Sequence, residues 1–171
     1  MTPEILVVDD ELRLRPFAGE ADVDAAWPWY RDPATVALVD GPGEPVYARD
    51  RVGARYAALG ARGEVFMVEL RSATGWEPVG DVTLAPDTLP MVIAPEHRGR
   101  GIGRRVLLRL VDRARVLGWS ELRVREVPAG NVASHRLFSG LGFLPLPVGD
   151  AAEGSRRYVL RLAPLGSRPR P

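Results

Sequence analysis

Three glycines within five residues, Gly99, Gly101 and Gly103, stand inside the stretch Val92 to Arg105, V-I-A-P-E-H-R-G-R-G-I-G-R-R. The apolar run ahead of Pro95 reads as the end of a strand, and the segment beyond Gly103 has helical periodicity. A glycine loop between a strand and a helix start aims several unpaired backbone N–H groups at one point, where the helix dipole is positive. Without Cβ atoms in the way, an anion can approach that backbone closely. Arg98, Arg100, Arg104 and Arg105 surround the loop. The chemistry on offer is the cradling of a polyphosphate; the plain alternative is a glycine turn with solvated arginines.

Spacing limits which cradle this is. A P-loop requires G-x-x-x-x-G-K-[ST], and the chain contains no lysine. The dinucleotide fingerprint G-x-G-x-x-G would place a small residue at position 104 or 106, which hold Arg104 and Val106. R-x-x-G-x-G does fit, as Arg98-Gly99-Arg100-Gly101-Ile102-Gly103. A second pattern follows one helix and one strand later, Asn131-Val-Ala-Ser134-His-Arg-Leu137-Phe138-Ser-Gly-Leu141-Gly142-Phe143. The first resembles the acetyl-CoA signature of the GNAT family of N-acetyltransferases, and the second resembles the later motif N-x-x-[SA]-x-x-L-[YF]-x-x-x-G-F of that family. The likeness is tight over roughly residues 90–145; elsewhere it rests on element order.

The resemblance implies acetyl-CoA as cosubstrate. Its pyrophosphate would sit on the amides of Arg98, Gly99, Arg100, Gly101, Ile102, Gly103 and Arg104. Val92, Ile93 and Ala94, the strand before the loop, would offer backbone to the pantetheine arm and thioester, with Asn131 against the same arm. Asn131 also suits a helix N-cap, and both roles stay open. Many relatives carry Tyr where this chain has Phe138, and a phenyl ring donates no proton. Ser134 lies one turn earlier on the same face. It matches the serine of the branch resembling ribosomal-protein N-terminal and aminoglycoside acetyltransferases, where that hydroxyl would meet the sulfur. A serine in a first helical turn also serves as a cap or simply as a small residue.

Acyl transfer to an amine needs a base for the ammonium proton and stabilisation of charge on the carbonyl oxygen. The informative bases are carboxylates on apolar strand faces. Glu126 alternates with Leu122 and Val124, and Asp81 stands between Val79 and Thr83. Burial would raise the pKa of either toward neutrality, whereas pairing with an arginine would hold it down. Asp40 is a weaker choice for gripping a cationic acceptor. Phe138 and the absence of an obvious base also feed a different reading, a non-catalytic acetyl-CoA-binding or regulatory protein. Candidate acceptors are a small polyamine, an aminoglycoside-like molecule, an amino acid and a protein N-terminus.

These residues need a scaffold of ordinary globular composition. The 171 residues are 46% hydrophobic and 26% charged, with a formal net charge of +1, which offers no field that would favour nucleic acid. With no cysteine, a disulfide framework and a thiol nucleophile are excluded, and His97 and His135 are too few for a histidine metal site. No metal is expected. The start M-T-P-E-I-L-V-V-D-D lacks a basic n-region and no stretch approaches the ~20 apolar residues of a membrane span, so a cytoplasmic monomer or homodimer is expected.

Patterning then predicts strand, helices, a three-strand meander, helix, strand, helix, strand. Strands fall at 12–16, 64–70, 78–84, 89–94, 121–127 and 156–162, and helices at 20–30, 33–39, 47–59, 104–117 and 131–141. Val106, Leu107, Leu110, Val111 and Ala114 form one stripe on the helix after the loop. The fold class is α/β, a mixed, mostly antiparallel central sheet flanked by helices. One domain spans 1–164, and 165–171 reads as a mobile tail.

Overall fold

The computed structural model describes residues 4–146 and 154–163. The tail expected at 165–171 and the domain limit at residue 164 lie outside them. A short strand β1 (Leu6–Val7) pairs antiparallel with β2 (Leu12–Pro16). Three helices follow, α1 (Glu20–Tyr30), α2 (Pro33–Val39) and α3 (Arg49–Gly60). Pro28 does not end α1, because its ring forfeits one internal N–H and the Arg31 N–H still reaches Trp27 O. Asp32 caps α2 by accepting from the N–H groups of Ala34 and Thr35, with Pro33 at the first helical position.

The meander is β3 (Glu64–Ser72), β4 (Gly75–Leu84) and β5 (Met91–Ile93). Then come α4 (Ile102–Val116), β6 (Glu121–Val127), α5 (Val132–Gly140), β7 (Leu144–Leu146) and β8 (Arg156–Arg161). The hairpin between β3 and β4 is tighter than the expected strand limits of 70 and 78 imply, with Ser72 opposite Gly75. β7 escapes a sequence reading because Pro145 interrupts a three-residue strand.

The strands form two antiparallel sheets, in orders β1-β2-β3-β4-β5 and β6-β8-β7. Among the described residues no ladder joins β5 to β6, so the sheet layer opens between them. Each sheet carries one bulge. Val68 pairs with Gly80 but Glu69 with Pro78, which leaves Val79 extra next to a proline that cannot donate. On the second sheet Val124 pairs with Tyr158 and Val127 with Arg156, three steps on β6 against two on β8.

Two apolar cores flank the first sheet. On one side α4 packs Val106, Leu107, Leu110 and Ala114, all 0% exposed, against Leu14, Phe66 and Val82 and against Leu122 and Tyr158 of the second sheet. On the other, α1, α2 and α3 bury Val23, Ala26, Val36 and Val52 with Met67, Val92 and Ala94. The stripe expected of α4 is buried as its spacing dictates. Among the described residues, no helix is long and apolar enough to cross a membrane.

Candidate active site

The gap between β5 and β6 is a cleft of about 520 Å³. Met91, Val92 and Ile93 form one wall and Val124 to Pro128 the other. α2 contributes Thr35, Leu38 and Val39, α5 contributes Ser134, Leu137 and Phe138, and the glycine loop closes one end.

That loop is shaped by Gly99 at φ 74° and Gly101 at φ 73°, left-handed values that a side chain would strain. Gly101 is the N-cap of α4, and no side chain caps the helix. The N–H groups of residues 99–104 donate to no described protein atom; Arg105 N–H is the first to find a carbonyl, Gly101 O at 3.2 Å. Six free amides at the positive end of a 15-residue helix have the geometry and polarity to hold an anion. These residues fit a pyrophosphate.

The arginines around the loop play different parts. Arg104 lines the cleft, whereas the exposed Arg100 side chain does not. Arg105 turns away to grip Asp9, at 2.6 and 2.7 Å. Arg98 is committed to the protein: Nε donates to Ile93 O at 2.9 Å and Nη2 to Thr35 Oγ1 at 2.7 Å, while its amide bonds Pro95 O. It straps α2 to the end of β5, and because its amide is already bonded the run of free N–H groups begins one residue later than expected, at Gly99.

Val92, Ile93, Gly99, Gly101, Ile102, Gly103, Asn131, Ser134, Phe138 and Glu126 all line the cleft. Ala94 does not: it is 1% exposed, packs in the helical core and donates to Val79 O at 2.8 Å, continuing the ladder of β5 on β4 by one bond. Asn131 accepts from Ser134 N–H at 3.1 Å as a helix cap, and its Nδ2 donates to Leu38 O at 3.0 Å, so it also ties α5 to α2. Ser134 Oγ makes no hydrogen bond with a described residue and faces the cleft. Phe138 is buried among Phe143 and Tyr158. His135 is half-buried, bridging Tyr158 Oη at 2.7 Å and Pro128 O at 3.0 Å.

The two carboxylates expected as bases part company. The bulge after Val124 turns Val127 inward where strict alternation would place Glu126, so Glu126 is exposed at the cleft wall instead of sharing the face of Leu122 and Val124. It pairs with no described arginine. Asp81 is buried to 2% and lies behind the cleft rather than on its lining. Its Oδ2 accepts from Tyr30 at 2.9 Å and Tyr56 at 2.8 Å. Burial raises its pKa; the nearby Arg55 charge and both tyrosine hydrogen bonds oppose that shift.

A cleft between splayed strands, with a free-amide loop R-x-x-G-x-G at its mouth, meets a matching sequence signature. The chain matches the model of the Acetyltransferase (GNAT) family over residues 24–143. It belongs to the GNAT family. Over 51 residues it is 43% identical to an L-methionine sulfoximine/L-methionine sulfone acetyltransferase of Salmonella typhimurium, covering 30% of this chain and 29% of that protein. The matched stretches thus span less than a third of the curated relatives' length. An acetyltransferase of Thermus thermophilus superposes with a TM-score of 0.69 at 26% identity, over 88% of this chain and 97% of that one. The fold is shared with a Vibrio cholerae spermidine N-acetyltransferase solved with CoA and spermine, at a TM-score of 0.72 and 19% identity, over 90% and 97% of the two chains.

In this GNAT chain the cleft extends past β5 to residues no motif marks. Arg62 and Arg125 line it and both bind Asp87, in the turn before β5. Asp40 lines it too, holding the Tyr47 hydroxyl at 2.7 Å and Arg51 at 3.3 Å. Arg55 comes from α3 to lie against Tyr30. A sequence signal for Arg55 existed: it stands three residues after Val52 and four before Leu59, on the buried stripe of its helix.

Proposed function

We propose that this chain, acting as one domain over 1–164, transfers the acetyl group of acetyl-CoA directly to a primary amine of a small molecule or a protein N-terminus. The observation that carries this is the run of free amides at 99–104, opening onto a cleft between unpaired strand edges. The amides and Arg104 bind diphosphate, and the open edge of β5 offers its backbone to the amide-containing arm. In the transfer a bond forms from the amine nitrogen to the acetyl carbon and the carbon–sulfur bond breaks. Glu126, unpaired and on the cleft wall, takes the ammonium proton; Ser134, with an uncommitted hydroxyl, gives a proton to the leaving sulfur. Neither role needs a metal.

Thermal unfolding with and without acetyl-CoA, with ATP and NADH as controls, tests the reading. Ligand at ~100 times its dissociation constant adds about 2.7 kcal/mol of stability. Acetyl-CoA alone should raise Tm, and Gly101→Val, which forces a β-branched residue to positive φ, should abolish the shift. No shift with acetyl-CoA would sink the proposal. A second reading, coenzyme binding without turnover, is favoured by Phe138, which replaces a proton-donating tyrosine with a buried phenyl ring. Binding of acetyl-CoA with no CoA release for any amine would select it.

A further inference from the structure

The cleft is lined by five arginines and two carboxylates, and most of these charges already have partners. Arg62 and Arg125 share Asp87, and Arg98 holds Ile93 O and Thr35. Arg104 stands in the first turn of α4, next to the anion loop. Asp40 is held by Tyr47 and Arg51. Two charges remain uncommitted away from the loop, the Arg55 guanidinium and the Glu126 carboxylate.

Arg55 is half-buried, and its one described hydrogen bond is a long one, from Nε to Tyr30 Oη at 3.3 Å. Its Nη atoms bond no described residue. They are not sealed either: among the described residues, the sealed and unpartnered side-chain nitrogens are His97 Nδ1 and Arg157 Nε. Arg55 itself lines the cleft, so a guanidinium with solvent access and no partner on its Nη atoms stands at the cleft wall. A guanidinium that loses much of its water without a carboxylate in direct contact is costly, and its planar fork matches a carboxylate in two-point fashion.

Position separates this site from the phosphate end. Arg55 leans on Tyr30, whose hydroxyl binds Asp81, and Asp81 is the register partner of Val92 in the middle of β5. The free-amide loop starts at Gly99, beyond the end of that strand at Ile93. An anion on Arg55 is thus not the anion on the loop. Asp81 feels the Arg55 charge but makes no direct contact with it: no hydrogen bond or salt bridge joins the two and Asp81 Oδ2 is taken by two tyrosines, which leaves the Nη groups to a ligand.

We infer that the acceptor is an amine carrying its own carboxylate, in the manner of an α-amino acid, with Arg55 binding the carboxylate and Glu126 facing the ammonium. This rests on the acetyltransferase reading above. It sets aside polyamines and protein N-termini, which have no carboxylate beside the reacting amine.

The test is CoA-thiol release with a panel of L-amino acids, each paired with its carboxamide, and with spermidine as a control. Wild type, Arg55→Gln and Arg55→Lys are compared, each first checked for stabilisation by acetyl-CoA. The expected result is turnover of amino acids with kcat/KM about tenfold or more above the matched amides. Arg55→Gln should raise KM for the amino acid by a similar factor, leave KM for acetyl-CoA unchanged and erase the acid–amide difference; Arg55→Lys should restore part of it. Equal rates on acids and amides, preference for spermidine, or no amino-acid turnover by a protein that acetyl-CoA stabilises would each overturn the inference. Absence of acetyl-CoA stabilisation in wild type would instead remove the acetyltransferase reading beneath it, and the inference with it.

Discussion

The Tyr30 hydroxyl donates to Asp81 Oδ2 at 2.9 Å, and Tyr56 donates to the same oxygen at 2.8 Å, so one buried carboxylate binds α1 and α3 to β4. Asp81 holds the helical layer against the sheet directly beside Val92, a strand residue that lines the cleft. Its first role is therefore in placing the wall.

The raised pKa of Asp81 has a consequence for stability. Burial lifts it above 3.8, so between 3.8 and its raised value the folded state binds more protons than the unfolded state. Stability from this group is present below 3.8 and is lost as pH rises through the folded pKa. Asp81→Asn keeps an acceptor for both tyrosines and does not titrate. In urea denaturation across about pH 4 to 8, the variant should gain stability relative to wild type as pH rises. A difference that stays flat with pH would refute the linkage.

Glu126→Gln should lower kcat/KM by about 10²-fold or more while acetyl-CoA still raises Tm. Asp81→Asn, behind the wall, should cost far less. The reverse order in a steady-state comparison would make Asp81 the base. Ser134→Ala should change stability by no more than about 0.5 kcal/mol, because its hydroxyl bonds no described residue, yet lower kcat with KM for acetyl-CoA unchanged.

Asn131 performs two tasks that substitution can divide. Asn131→Ala removes the cap of α5 and the bond to Leu38 O, and should cost about 1–2 kcal/mol in chemical denaturation. Asn131→Asp retains the cap acceptor but loses the donor to Leu38. Hydrogen exchange in α2 should quicken in both variants, and in α5 only in Asn131→Ala.

Arg98 is expected to act through its strap. Arg98→Ala leaves Ile93 O and Thr35 without their guanidinium, and should destabilise by about 1–3 kcal/mol. The acetyl-CoA dependence of Tm should persist, because the amides at 99–104 do not rely on its charge. Loss of coenzyme binding with unaltered stability would show that Arg98 contacts phosphate instead.

Local signals made the loop, α4 and α5 legible. Gly101 at the helix start, the stripe from Val106 to Ala114 and the Asn131 cap all depend on residues within a few positions of one another. Glu126 was misplaced because alternation assumes an unbroken ladder, and the bulge opposite Arg156 to Tyr158 is set by a strand much later in the chain. The partners of Asp81 lie 51 and 25 residues away on helices, so its burial on β4 could be read but not its hydrogen bonds. Arg98 looked like a free cation until Thr35 was folded beside it, 63 positions earlier.

The gap between β5 and β6 also bears on how the protein should be handled. Two sheets each end in a strand with one unpaired edge, and the two edges face the same cleft. Open edges recruit other chains, which is why sheets usually end in covered or charged strands. A cosubstrate lying along β5 would cover that edge, as a bound strand would. Concentrated without it, the protein should self-associate sooner; kept with it, the same preparation should stay dispersed, a difference light scattering would register before any assay of turnover was found.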